Sequence, residues 1–210
     1  MALERIHPNR DHLMPNQSAV LLTERDRAEI ARLWTRKLDQ DARGLPQQDR
    51  HRNLEPPSAE FLCALAAGIN ARRILEIGGS SGLSTIALAA AARYTDGRVT
   101  SIELEPVRQA EANANLSRLS LAPYVEFLLA DAATIIPHQA HVELAFIDCE
   151  KEDYIRFFDM LQMAPGGIVV ADNIISHALT DYVAHVRGRS DVESITLPIG
   201  KGLEVSRWKT

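Results

Sequence analysis

The chain has 210 residues, 46% of them hydrophobic, and a formal charge of −5, so it can bury one good core and lacks the basic excess of a dedicated nucleic-acid binder. No apolar stretch approaches the roughly 20 residues that a membrane span requires. Two cysteines, Cys63 and Cys149, lie far apart and read as reduced thiols, so a cytoplasmic location is expected.

Met1–Asn16 is polar, carries Pro8 and Pro15, and reads as a loose segment draped on the surface. From Ser18 to about Leu38, apolar residues fall near helical spacing at Val20, Leu21, Ile30, Leu33, Trp34 and Leu38, which predicts a helix with one sticky face. Asp39–Pro57 holds Gly44, Pro46, Pro56 and Pro57 and predicts a connecting loop. Arginines are dense from Arg25 to Arg52, but Glu24, Asp26, Glu29, Asp39, Asp41 and Asp49 are interleaved with them, the pattern of a solvated face rather than an RNA-binding arm. Residues 1–57 are therefore taken as an N-terminal helical arm and loop, and 58–210 as the main domain, which opens with a helix from about Ser58 to Ile69.

Beyond Arg73, strand-like and helix-like segments alternate. The predicted strands are Arg73–Ile77, Val99–Glu103, Val125–Ala130, Leu144–Ile147 and Ile168–Ala171. Such alternation implies a parallel sheet with right-handed crossovers and helices on both faces. Ser194–Pro198 and Leu203–Ser206 are also strand-like, and the link between them is too short for anything but antiparallel neighbours. The expected fold is thus α/β and Rossmann-like, a mostly parallel seven-stranded sheet closed by a C-terminal antiparallel hairpin.

Within this framework, Ile74–Ala89 (ILEIGGSSGLSTIALA) is the most informative run. A short buried strand turns through Gly78, Gly79 and Gly82 into a helix, where glycine lets a ligand approach the main chain and the free N–H groups of the helix start favour negative charge. The next strand ends in Glu103, about 20 residues beyond the turn, where a carboxylate can accept hydrogen bonds from both hydroxyls of an adenosine ribose. NAD sites share that feature but want G-x-G-x-x-G for a pyrophosphate. Here Glu76 lies two residues before the turn. It would repel a pyrophosphate and attract an ammonium group, which favours S-adenosylmethionine (SAM) over NAD.

Two later strand ends are rich in oxygen ligands. AFIDCEK places Asp148 at one tip with Lys151 just beyond, and GGIVVADN places Asp172 and Asn173 at the next. Neighbouring parallel strands lie about 5 Å apart, so these three side chains can converge on one hard cation, Mg²⁺ or else Ca²⁺ or Mn²⁺. Taken singly, each acid is equally well explained as a helix cap. Cys149 has no general base beside it in the sequence and reads as a packing residue, and His177 as a surface or capping residue.

At this point the chain resembles the cation-dependent class I SAM O-methyltransferases, which include the catechol and caffeoyl-coenzyme A enzymes and bacterial relatives. The resemblance runs from about Arg52 to the C terminus and is carried by ILEIGGSSGLSTIALA, VTSIELEP, LLADA, AFIDCEKEDY, GGIVVADN and LPIGKGLEVS. It implies that Glu76, Gly78 and Ser84 hold the methionine end of SAM, that Glu103 holds the ribose, and that Asp131 and Ala132 border the adenine. Asp148 would border the cofactor too, and Leu54 would cover it from the N-terminal side. Asp148, Asp172 and Asn173 fall on the family's metal ligands, and Lys151 on its catalytic lysine, acting beside Asp148. The resemblance also implies a small-molecule acceptor with vicinal oxygens and a homodimer in which the N-terminal helix reaches the partner.

Two departures bear on the substrate. Asp148-Cys149-Glu150-Lys151 stands where relatives often read Asp-Ala-Asp-Lys, which leaves the role of Glu150 open. Ile174-Ile175-Ser176-His177 follows the Asp-Asn pair, where catechol-type relatives place large apolar or aromatic residues against a substrate ring. Other readings are a tRNA-modifying enzyme that methylates a hydroxylated wobble uridine, against which the acidic balance argues, and a SAM or NAD binder without methyl transfer.

Overall fold

The computed structural model describes residues 20–46 and 50–210; the segment Met1–Asn16 lies outside the described residues. Seven strands form one sheet: β1 Arg73–Ile77, β2 Arg98–Glu103, β3 Val125–Leu129, β4 Ala140–Ile147, β5 Gln162–Ala171, β6 Val192–Leu197 and β7 Leu203–Trp208. Their order across the sheet is β3-β2-β1-β4-β5-β7-β6. Strands β1 to β5 run parallel, and β7 lies antiparallel to both β5 and β6, giving the expected hairpin ending.

Register decides where the site falls. Ile77 pairs with Ile102 on one side and Ile147 on the other, and Ile147 pairs with Ala171. Gly78, Glu103, Asp148 and Asp172, which end or follow these strands, therefore emerge along one edge of the sheet. Strand order reverses between β1 and β4, and ligands of open α/β sheets bind in the crevice outside the strand ends at such a point.

Alternation along the buried strands builds a core on each face. Ile74, Leu144, Phe146 and Val170 face helices α1 (Glu24–Ala42), α2 (Pro56–Gly68) and α3 (Leu83–Thr95). Leu75, Ala145, Ile147, Val169 and Ala171 face the other way, toward α6 (Tyr154–Met160) and α7 (Thr180–Gly188), where Phe158, Tyr182 and Val186 are buried. Helix α4 (Pro106–Arg118) joins the first layer through Leu116, and the short helix α5 (Ala132–Ile135) the second through Ala132. Helix α3 is buried along almost its whole length, and its run Ala89–Ala92 has side chains small enough to be enclosed by protein on every side.

The N-terminal helix differs from expectation in its ends. It begins at Glu24 because Thr23 and Asp26 form a reciprocal capping box, and it continues to Ala42. Leu22, Ile30 and Leu33 share the first core with α2 and α3, so the sticky face is used within the chain and does not itself call for a second copy. Pro56 and Pro57 open α2 rather than closing a loop. In the first turn a missing N–H leaves no helix bond unmade, so the same residues suit either role. Strands β4 and β5 extend well before the expected Leu144 and Ile168, past register shifts between Ala140, Val142 and Leu144. Polar His141, Glu143 and Gln162 interrupt the apolar runs there and conceal the pairing.

One buried carboxylate fastens the C-terminal hairpin. Glu204 of β7 is fully buried and accepts from Arg187 of α7 through both oxygens, at 2.9 and 3.2 Å, from Ser194 at 2.6 Å, and from Thr196. Removing the guanidinium leaves a buried charge with hydroxyl partners only. Arg187→Ala is expected to cost about 2 kcal/mol in urea denaturation, less than a fully buried pair because Arg187 itself is half-exposed. An unchanged midpoint would show that the hydroxyls suffice.

Candidate active site

The turn after β1 is held from its neighbour: the backbone N–H groups of Gly78 and Gly79 both donate to the Ile102 carbonyl, at 2.9 and 3.2 Å. Gly78 has φ +95°, and a Cβ there would stand 2.2 Å from the Asp148 carbonyl oxygen. Gly82, at φ +93°, begins α3. Beneath the turn lies Glu76, fully buried, whose Oε2 accepts from Thr85 at 2.6 Å and from Ser101 at 2.5 Å. Its Oε1 has no hydrogen-bond partner among the described residues. Burial pushes the Glu76 carboxyl up, against the hydrogen bonds from Ser101 and Thr85. A buried acceptor without a donor is costly, and a ligand ammonium or bridging water would relieve it.

Glu103 is fixed at the tip of β2. Its Oε2 accepts from Ser80 N–H at 2.7 Å, and its Oε1 from Leu104 and Glu105 N–H at 2.8 and 2.9 Å. Asp131 caps α5, accepting from the Ala133 N–H at 2.9 Å. Gly78, Glu103, Asp131, Ala132 and Asp148 all line a cavity of about 540 Å³ over the strand ends, joined by Arg52 and Phe157, which sequence reasoning did not single out. Glu76 and Ser84 lie behind this wall. Leu54 does not line the cavity: it is buried in the core, 1% exposed, whereas Arg52, two residues earlier, lines it.

A second chamber of about 450 Å³ shares Arg52, Asp148, Cys149 and Glu150 with the first. Arg52 and Glu150 are ion-paired across the shared wall, giving Glu150 a contact that its departure from the Asp-Ala-Asp-Lys pattern left open. The predicted oxygen ligands come together here: Asp148 and Asn173 line the chamber, and Asp172 is buried beside them without lining it. The Asn173 amide donates to Asp148 Oδ1 at 3.1 Å and to Asp172 Oδ2 at 2.7 Å, while Asp172 Oδ1 is buried without a partner. Asn173 holds φ +64°, a left-handed conformation that asparagine tolerates better than most residues. Burial, and then the Asp148 carboxylate, push Asp172 up to about 8.

Lys151 reaches back to this cluster. Its Nζ donates to Asp148 Oδ1 at 3.1 Å and to the Tyr154 hydroxyl at 2.6 Å, and it lies 4.7 Å from the Tyr154 ring centre. Tyr154 is itself immovable, fully buried with its ring edge-on to Tyr182 at 5.6 Å. Cys149 lies in the wall between the chambers, its thiol pushed up by burial and so without thiolate character. His177 is exposed and its Nδ1 lies 2.9 Å from Ser176 Oγ; it lines the chamber while also meeting a neighbouring residue in the manner of a cap.

Comparison with known proteins shows which family the chain resembles. A stretch of 120 residues is 39% identical to a catechol O-methyltransferase of Mycobacterium tuberculosis, covering 55% of this chain and 54% of that protein. The matched stretch thus spans about half the length of that curated relative. Among solved structures, cofactor-bound Rv0187 from MTB superposes with a TM-score of 0.74 at 26% identity, over 87% of this chain and 90% of the other. TomG of Streptomyces achromogenes, an O-methyltransferase involved in tomaymycin synthesis and solved with SAM, gives 0.73 at 26% identity, over 85% and 89%. The profile of the O-methyltransferase family matches residues 45–205, most of the chain, and the protein belongs to that family.

Proposed function

We propose that this chain transfers the methyl group of SAM to a hydroxyl of a small molecule with vicinal oxygens, aided by a divalent cation held by Asp148, Asp172 and Asn173. The observation that carries this reading is the hydrogen-bonded cluster of those three side chains with Lys151, in which Asp148 lines both chambers and Asn173 and Lys151 line the second. Two carboxylates and an amide oxygen suit Mg²⁺, Ca²⁺ or Mn²⁺. The orphaned Asp172 Oδ1 and the crowding of two carboxylates fit a missing positive charge. A half-turn of the Asn173 amide would present its oxygen, rather than its NH₂ group, to the ion.

A divalent ion held by Asp148, Asp172 and Asn173 would supply Lewis-acid chemistry, lowering the pKa of an acceptor hydroxyl. In its neutral form, Lys151 accepts that hydroxyl proton on Nζ, steadied by the Tyr154 hydroxyl and Asp148. The oxyanion attacks the sulfonium methyl in line; the new O–C bond forms as the S–C bond breaks, and S-adenosylhomocysteine leaves. Glu76 would hold the ammonium of SAM and Glu103 its ribose. The two chambers share Arg52, Asp148, Cys149 and Glu150 in their linings, so a donor bound in one and an acceptor in the other would lie side by side, and binding would supply the proximity that transfer needs. The reading is tested by transfer of label from SAM to vicinal-diol acceptors with Mg²⁺ and with EDTA, beside calorimetry with SAM and NAD. Transfer that Mg²⁺ supports and EDTA abolishes is expected. Undiminished turnover in EDTA would remove the cation, and binding of NAD without SAM would remove the cofactor assignment.

A further inference from the structure

The acceptor chamber differs in character from a pocket made for an apolar ring. Among its described lining residues, Cys149 is the only side chain without a charge, an amide or an imidazole. The isoleucines that follow the Asp-Asn pair do not serve it: Ile174 is buried in the core, and Ile175 lies with Leu179 and Val183 in a separate shallow apolar depression. Five cations line the chamber; Arg52 is paired with Glu150 and Lys151 with Asp148, and the other three come from separate elements, Lys37 from α1, Arg50 from the loop before α2, and Lys201 from the turn between β6 and β7. Lys37 and Arg50 share the single carboxylate of Asp41. Lys201 Nζ stands 3.6 Å from Glu55, too far for a good hydrogen bond.

We propose that the acceptor carries, besides its vicinal oxygens, an acidic group, a carboxylate or phosphate, that is held by Lys37, Arg50 and Lys201. The proposal rests on the methyl-transfer reading above and names the substrate class of that same site. A neutral ring entering this chamber would strip water from charged walls and offer nothing in return. An anion supplies the second negative partner that two cations around one aspartate lack, through charge-assisted hydrogen bonds. A volume of about 450 Å³ suits a small polar acid.

The test compares three catechols as acceptors with the full chain, SAM and Mg²⁺: one with a ring carboxylate, its methyl ester, and one with a phosphate monoester, with a short RNA as a fourth arm. At least one acid is expected to exceed the ester by about tenfold or more in kcat/KM, and the preferred acid identifies the anion. Lys37→Gln and Lys201→Gln are expected to shrink that ratio below about threefold, a readout that general loss of folding would not give. An ester methylated as well as or better than both acids overturns this inference and leaves the methyl-transfer reading standing. Methylation of the RNA alone overturns the small acid as substrate, and SAM binding with no transfer to any arm overturns both readings.

Discussion

Asp172→Ala is expected to lower kcat/KM for methyl transfer by about a thousandfold, roughly 4 kcal/mol of transition-state stabilisation, the scale of losing a Lewis acid. The side chain is 2% exposed, one oxygen is held by Asn173, and the other is orphaned, so no neighbouring group stands ready to replace it. Affinity for SAM should stay within about threefold by calorimetry, because Asp172 does not line the cavity proposed to hold the cofactor. That division is the diagnostic. Parallel losses of turnover and SAM binding would mean that Asp172 supports the sheet edge rather than the chemistry, and near-normal turnover would sink the three-ligand arrangement.

Gly78→Ala should damage both chambers at once. A methyl group there meets the Asp148 carbonyl oxygen at 2.2 Å and its carbonyl carbon at 2.8 Å, and both belong to backbone that cannot swing aside. The left-handed φ adds about 1–2 kcal/mol for any residue with a Cβ. Overpacking costs about 1–3 kcal/mol more, for an expected total near 3 kcal/mol in urea denaturation. Because the displaced segment carries Asp148, SAM affinity and methyl transfer should fall together. Gly68→Ala is the control: it lies at the end of α2 with open space around its Cα and should be neutral. Wild-type stability and SAM binding in Gly78→Ala would show that β1 and β4 do not approach so closely in solution.

Much of the site could be read from the sequence, for a physical reason. Glu103, Asp148 and Asp172 each stand at the end of an apolar run, and parallel pairing with aligned ends brings such residues together without any further information. The glycine turn was equally plain, since Gly78 and Gly82 hold the positive φ values that only such residues adopt freely. Side chains arriving from outside the sheet were harder to find. Lys37, Arg50 and Arg52 belong to a stretch of alternating charge that reads as a solvated face, and Arg27 and Arg36 behave that way, paired with Glu60 and Glu111 across to neighbouring helices. Charge alternation says nothing about which of those residues a later element will enclose. Leu54 shows the same limit: two residues of register separate the core from the cavity wall, and local pattern does not fix them. Phe157 lay within a helix whose lining face only the packing of α6 reveals.

The hairpin has a consequence for how the site comes into being. The residues just after the Asp-Asn pair are pinned by the β6–β7 turn: Ile174 N–H donates to the Gly202 carbonyl at 3.0 Å, and Ile175 and Ser176 N–H to that of Lys201 at 3.0 and 3.1 Å. Strand β7 also inserts between β5 and β6 instead of adding at the rim. Asp148, Asp172 and Asn173 are therefore all synthesised before the hairpin that clamps the segment after them, and their relative placement waits until β7 slots in between β5 and β6.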